Sequence, residues 1–184
     1  MFINPKTAIA EGWLKFPEWM SDEFKEKCIQ PNAIDWTADR LFAYSDNDDQ
    51  SNDFVLSESR KNMRPSTEMY PHADYRVASN EYWKLPPNSY FDAMSDFYVE
   101  VPSGVAVILI VRSTLSRNGL YITSGLFDSK FSGHLGATLH NRGQLAYIAP
   151  RTRIAQVAFI TAEDSGIAYA GGYNTTVGQH WNTK

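Results

Sequence analysis

Seven consecutive apolar residues, Val105–Val111, constrain this chain more than anything else in it. Five of the seven are β-branched, which suits a strand. The run is far too short to cross a bilayer and reads as a strand buried on both faces. Its surroundings repeat the theme. Leu135, Ala137 and Leu139 alternate with His134, Gly136, Thr138 and His140, the period-2 pattern of a strand with one apolar and one polar face. Val99–Val101 ends at Pro102, and Leu145–Ile148 and Ile154–Ile160 supply two further strands, with turns at Arg142-Gly143 and Pro150-Arg151. Short strands at this spacing predict a closed or sandwiched β fold rather than βαβ units.

The first half is different. Trp13, Leu14, Trp19, Met20 and Phe24 recur at roughly helical spacing, interrupted at Pro17, and Ser21 ahead of Asp22-Glu23 is placed to cap a short helix. These aromatics are read as core or subunit-contact residues. Residues 45–51, S-D-N-D-D-Q-S, lack the glycine and closing glutamate of a calcium loop and are read as a solvated loop. From there to Asn88 the text is polar and proline-bearing, which predicts long loops with short strands and no interdomain linker. With 184 residues, a single domain is expected. It comprises a helical segment at 1–28 and a glycine-bearing tail at 169–184, read as mobile and as a candidate lid.

Composition removes several classes. The formal net charge is −4, from 17 basic and 21 acidic residues, which argues against a dedicated nucleic-acid binder. One cysteine, Cys28, leaves no internal disulfide and no cysteine metal cluster. There is no signal-peptide pattern after Met1 and no apolar stretch of membrane-spanning length, so a cytoplasmic protein with no membrane partner is expected.

The chemistry gathers between Arg112 and Asn141. Arg112 and Ser113 close the apolar strand, and Arg117 follows one helical turn later. Guanidinium and hydroxyl groups at such a strand–helix junction suit phosphate oxygens. Asp128 then sits in a glycine-bounded turn with Phe131 three residues on, a carboxylate base beside an aromatic platform. Alone, the Arg-Ser pair is weak, reading equally as surface charge with a helix cap.

Taken in order, five segments resemble the dUTPase and dCTP deaminase superfamily along most of the chain. Ile29-Gln30-Pro31 with Ile34-Asp35 is similar to I-Q-P-x-x-[VI]-D. Residues 83–90, followed by Val101-Pro102, are similar to the strand pair ahead of the central motif. Arg112 to Gly119 resembles R-S-S-L-A-R-x-G, and Gly125 to Gly133 resembles G-x-I-D-x-x-[FY]-x-G. Arg153-Ile154-Ala155-Gln156 matches R-I-A-Q, and Gly171-Gly172-Tyr173 with Gly178-Gln179 loosely resembles the glycine-rich terminal motif.

The resemblance implies an all-β distorted barrel or jelly-roll of the dUTPase-like type with short N-terminal helices. It also implies a homotrimer with sites between subunits, Mg²⁺ as cofactor and a deoxynucleoside triphosphate as substrate. By that analogy Asp128 orients the attacking water or the 3′-hydroxyl, and Phe131 packs under the deoxyribose. Ser113 and Arg117 join Asp128 as catalytic residues, Arg112, Ser113 and Gln156 face the phosphates, and Gly125, Tyr173 and Gln179 complete the substrate site. Asp35 either reaches metal-bound water or stabilises its own turn.

Two departures matter. Family deaminases carry a glutamate in the strand after the aspartate motif, and here that position is Thr138, whose hydroxyl titrates too high to shuttle protons. No zinc-deaminase signature is present either. In addition, the stretch between Gly119 and Gly125 is about one residue shorter than in typical deaminases and closer to dUTPases, a comparison of motif spacing in the sequence. The expectation is therefore hydrolysis, with dUTP going to dUMP and diphosphate. The alternatives are a dCTP deaminase with an unusual proton shuttle, His134 or His140 being the residues to consider, and a diverged nucleotide-binding or regulatory protein without turnover.

Overall fold

The structure is a computed structural model that describes residues 1–44, 56–57, 60–61, 66–73, 81–171 and 173–176. The loop expected at 45–51 and the tail residues Gln179, His180 and Trp181 lie outside the described residues.

Two short helices open the chain, α1 at Pro5–Ala10 and α2 at Asp22–Cys28. Asn4 caps the first, its side chain accepting from the Lys6 amide, with proline at the start. Ser21 caps the second by accepting from the Phe24 amide, as its sequence position suggests. The helical reading of 1–28 needs one correction. Leu14–Lys15 is a strand, β1, paired antiparallel with Val99 and Tyr98. Gly12, with a φ of +73°, ends the turn after α1 and lets the chain reverse into it. The aromatic spacing there comes from a helix–strand–helix segment draped on the core, not from one broken helix.

The remaining strands follow in order. They are β2 (Ile34–Ala38), β3 (Arg40–Tyr44), β4 (Leu56–Ser57), β5 (Arg60–Lys61), β6 (Ser66–Met69), β7 (His72–Ala73) and β8 (Glu81–Leu85). After these come β9 (Ser89–Glu100), β10 (Val105–Val111), β11 (Leu120–Thr123), β12 (Ser132–Asn141), β13 (Ala146–Ile148) and β14 (Thr152–Thr161), with helix α3 at Ser113–Arg117 between β10 and β11. The largest sheet runs β11-β12-β9-β3-β6, with β1 added on β9. A second runs β10-β14-β2, and a third β13-β8-β7. The fold is all-β, and the sheets do not close into a barrel.

The core lies between the sheets. Trp36, Phe97, Phe159, Ile34, Leu41, Leu135, Leu139 and Ile154 are all but sealed from solvent. Removing each such side chain from water contributes about 1.5–3 kcal/mol. The alternation predicted for β12 is observed from Leu135 onward, with Leu135, Ala137 and Leu139 buried, while His134, expected on the polar face, is buried as well, beside the register shift. The doubly buried reading of β10 is not. Val105, Val107 and Leu109 are buried, while Ile110 is 42% exposed, because β10 is the edge of a three-stranded sheet whose outer face is open there.

Two local devices shape the large sheet. Between the pairs His134–Tyr98 and Gly136–Met94 the register shifts, leaving Ser95, Asp96 and Phe97 of β9 opposite Leu135 alone. Asp39 fills this bulge, its Oδ2 accepting from the Asp96 amide at 2.7 Å and from the Ser95 hydroxyl at 2.8 Å. At the far end, Gly119 (φ +76°) and Gly143 meet backbone to backbone. A Cβ on Gly119 would lie 2.8 Å from Gly143, so the α3–β11 turn and the turn after β12 nest only without side chains.

Candidate functional site

A cleft of about 510 Å³ opens where β3, β9 and β12 meet the segment from Thr123 to Phe131. Its floor is a row of directly paired residues across three strands: Thr123 on β11, Thr138 on β12 and Asp92 on β9. Successive strands put paired residues on the same side of the sheet, so all three side chains face one way. The walls include Gly125, Phe127, Phe131, Tyr44, Tyr169 and Tyr173. The Phe131 ring packs against Phe127 at 5.1 Å and edge-on to Tyr169 at 5.4 Å.

The tail contributes more than a frayed end. Thr175 is buried, its hydroxyl accepts from the His134 amide, and its carbonyl accepts from the Tyr98 hydroxyl at 3.0 Å. The Asn174 side chain accepts from the Ser132 amide. These bonds fix residues 173–176 along the start of β12 and hold Tyr173 at the cleft. Burial pushes the Tyr169 hydroxyl above its ordinary value, with the charges of Tyr173 and Asp128 adding to the effect.

Asp92 is the unusual member of the floor. It is 4% exposed, and its Oδ2 has no hydrogen-bond partner among the described residues. Burial pushes its carboxyl up to about 7. Beside it, the Tyr44 hydroxyl is pushed up to about 12 by burial and the nearby Asp92 charge, and it bonds the Thr138 side chain.

A second polar cluster sits on the outer face of β10-β14-β2. Asp35 is fully buried. Its Oδ1 lies 3.1 Å from Gln156 Nε2 and 3.5 Å from Arg112 Nε, and its Oδ2 lies 3.0 Å from Arg153 Nη1. Arg112 also donates to the Arg153 carbonyl. Cys28 lies at the edge of this group, its thiol pushed up to about 11, chiefly by burial.

The site residues expected from sequence therefore divide. Gly125, Phe131 and Tyr173 line the cleft. Arg112, Gln156 and Asp35 share the ionic cluster, which Arg153 completes, and none of them lines the cleft. Ser113 and Arg117 start and end α3 and are exposed, a turn apart as their spacing implies. Asp128 is exposed in the turn closed by the Phe131 amide bonding its carbonyl.

The two histidines considered as proton carriers are engaged. His140 Nε2 lies 3.0 Å from the Thr123 hydroxyl, its ring stacks on Tyr90, and burial lowers its pKa. His134 reaches the cleft from beyond the bulge, with Nδ1 3.1 Å from the Phe97 carbonyl. Sequence reading missed Asp92, Tyr44 and Tyr169. Asp92 carried a signal, a carboxylate amid Phe91, Ala93 and Met94.

As for magnesium, no group of three or more His, Cys, Asp or Glu among the described residues is arranged to hold a metal ion. Both Asp35 oxygens are occupied by guanidinium and amide donors.

The chain combines an all-β frame, a carboxylate–aromatic turn and an ionic cluster of two arginines with Asp35, and comparison with known proteins places it in a family. Residues 6–162 match the family described as dCTP deaminase-like, and the chain belongs to that family. A probable deoxyuridine 5′-triphosphate nucleotidohydrolase of Methanothermobacter thermautotrophicus is 32% identical over 168 residues, 90% of this chain and 97% of the relative. A dCTP deaminase, dUMP-forming, of Bifidobacterium animalis subsp. lactis is 28% identical over 157 residues, 84% of this chain and 74% of the relative. Among solved structures, the 2′-deoxycytidine 5′-triphosphate deaminase of Agrobacterium tumefaciens aligns over 88% of this chain with a TM-score of 0.61 at 10% identity. What is shared there is the fold, and this chain spans about half, 48%, of that protein's length. No helix among the described residues is long and apolar enough to cross a membrane.

Proposed function

We propose that the protein hydrolyses a pyrimidine deoxynucleoside triphosphate, dUTP before others, to the monophosphate and diphosphate. The observation that carries this reading is the cleft floor. Where family deaminases resemble one another in a glutamate, the floor presents Thr138, which cannot activate water, while the carboxylate of Asp128 stands in the turn beside Phe131.

In the proposed reaction water attacks the α-phosphorus, the bond to the diphosphate oxygen breaks, and the water proton passes to Asp128. Phe131 supports the deoxyribose, and Arg112, Ser113, Arg117 and Gln156 take the phosphates. Magnesium belongs to this reading as part of the substrate, arriving on the triphosphate. The base cleft and the arginine cluster occupy different sheets of one chain. This favours a trimer in which one subunit's cleft is completed by another's phosphate-binding groups.

A second reading is favoured by Asp92, whose unpartnered oxygen lies beside Thr138. Deamination of dCTP needs a group that activates water for attack on C4 and carries its proton to N3 and then to the departing amine. A carboxyl raised to about 7 has that capacity. The test of both is incubation with dUTP, dCTP, dTTP and dATP plus Mg²⁺, with separate assay of diphosphate and ammonia. The first reading expects diphosphate from dUTP and a loss of about 10²- to 10⁴-fold in Asp128→Asn. An Asp128→Asn variant at the wild-type rate would remove Asp128 from the chemistry, and ammonia from dCTP, absent in Asp92→Asn, would establish the second.

A further inference from the structure

We propose that Asp92 is the residue on which the cleft seats the polar N3–C4 edge of a pyrimidine ring. The inference rests on the reading of this cleft as the base site, and it is independent of which reaction follows.

The geometry singles Asp92 out. It lies at the centre of the floor row, with Thr138 paired to it on one side and Phe42 on the other. It is 96% removed from solvent, yet Oδ2 has no partner among the described residues. A buried carboxyl oxygen without a protein partner is costly, and native structures retain one where a water, an ion, a ligand or a reaction uses it. Among the described residues that line the cleft, none is a lysine or arginine. The titratable and charged groups among the described residues that face it are Tyr44 from β3, His134 from β12, and Tyr169 and Tyr173 from the tail, with Tyr90, His140 and Arg40 one step along the same face and Glu68 beyond Phe42 in the same row. Arg40 is the one fixed cation among them; its guanidinium lies over the Phe42 ring, outside the cleft lining, and burial is what raises the Asp92 carboxyl.

The cleft thus favours the neutral acid. A neutral carboxyl presents one donor and one acceptor side by side. Uracil presents a donor at N3–H and an acceptor at O4, and cytosine an acceptor at N3 and donors at N4. Each edge is met by two parallel hydrogen bonds from the acid. An ionised carboxylate offers acceptors only and repels O4 of uracil or N3 of cytosine. Affinity should therefore fall as pH rises through the Asp92 titration, near 7.

The experiment measures dissociation constants for the non-hydrolysable α,β-imido-dUTP, and for α,β-imido-dCTP with its recovery undeaminated checked by chromatography, at acid and alkaline pH, in wild type, Asp92→Asn and Asp92→Ala. The carboxamide of Asn keeps a donor and an acceptor at every pH, and ionisation of the nucleotide cancels in the ratio of wild type to Asp92→Asn. That ratio is expected to rise at least about tenfold between about pH 6 and about pH 8.5. Asp92→Ala should bind more weakly than wild type at the lower pH. A ratio independent of pH overturns the proposal, as does Asp92→Ala binding as tightly as wild type at the lower pH. Where Asp92→Ala fails to fold, the Asn ratio alone decides. If neither wild type nor Asp92→Asn binds either nucleotide, the cleft is not the base site and the inference falls with that reading.

Discussion

Replacing Asp92 by asparagine should change how the stability of the folded protein depends on pH, with no nucleotide present. In the unfolded chain this carboxyl titrates near its ordinary value of 3.8, and in the fold near 7. Between those values the native state binds more protons than the unfolded state, so stability is greatest in acid and declines as pH rises. Three pH units of displacement amount to roughly 4 kcal/mol, of which more than half falls between about pH 5 and about pH 8.5. Asp39, raised to about 6 by burial and only partly offset by its bonds to Asp96 and Ser95, contributes in the same direction. Its share remains in the variant, which isolates that of Asp92. Urea denaturation at the two pH values is the assay, with stability extrapolated to water. The expected result is that wild type loses roughly 2 to 3 kcal/mol more than Asp92→Asn over this window. Superimposable pH profiles for the two proteins would refute the reasoning, because Asp92 would then be ionised and solvated in the fold.

Asp35→Ala should destabilise the protein by about 3 kcal/mol, the lower end for breaking a buried pair, since Arg112 and Arg153 keep some contact with water; thermal melting reads this, and a wild-type midpoint would mean the cluster is energetically idle. Light scattering at micromolar concentration should give three times the chain mass of 20.8 kDa, and a monomer that still turns over dUTP would exclude sites shared between subunits. Truncation after Ala168 removes the Tyr169–Phe131 contact and the Thr175 bonds. It should lower the melting temperature by a few degrees and turnover at least about tenfold, whereas turnover unchanged by the deletion would dismiss the tail from the site.

Much of this was legible from residue patterns. The period-2 alternation of β12 and the apolar run of β10 mark strands because a sheet's side chains repeat every second residue, and the Ser21 cap follows from its hydroxyl. The cleft was legible only in part. Gly125 and Phe131 stand in a contiguous motif, but Asp92 and Tyr44 reach the floor through pairing of β3, β9 and β12, and a register between strands far apart in sequence leaves no local mark. The bulge at Ser95–Phe97 compounds this, since it resets the alternation of β9 against β12. The N-terminal aromatics misled for a related reason. Their spacing matched a helix, but Leu14 is held by cross-strand pairing to Val99, a tertiary contact that overrides local periodicity.

The touching glycines, Gly119 and Gly143, carry an evolutionary consequence. Two loops separated by more than twenty residues of sequence share one steric vacancy, so their histories are tied together. A lineage that acquired alanine at either position would have to re-route the other loop before the change became tolerable. The α3–β11 turn, which follows Arg117 and leads through β11 to the cleft floor, is then free to diverge in its side chains but not in its path.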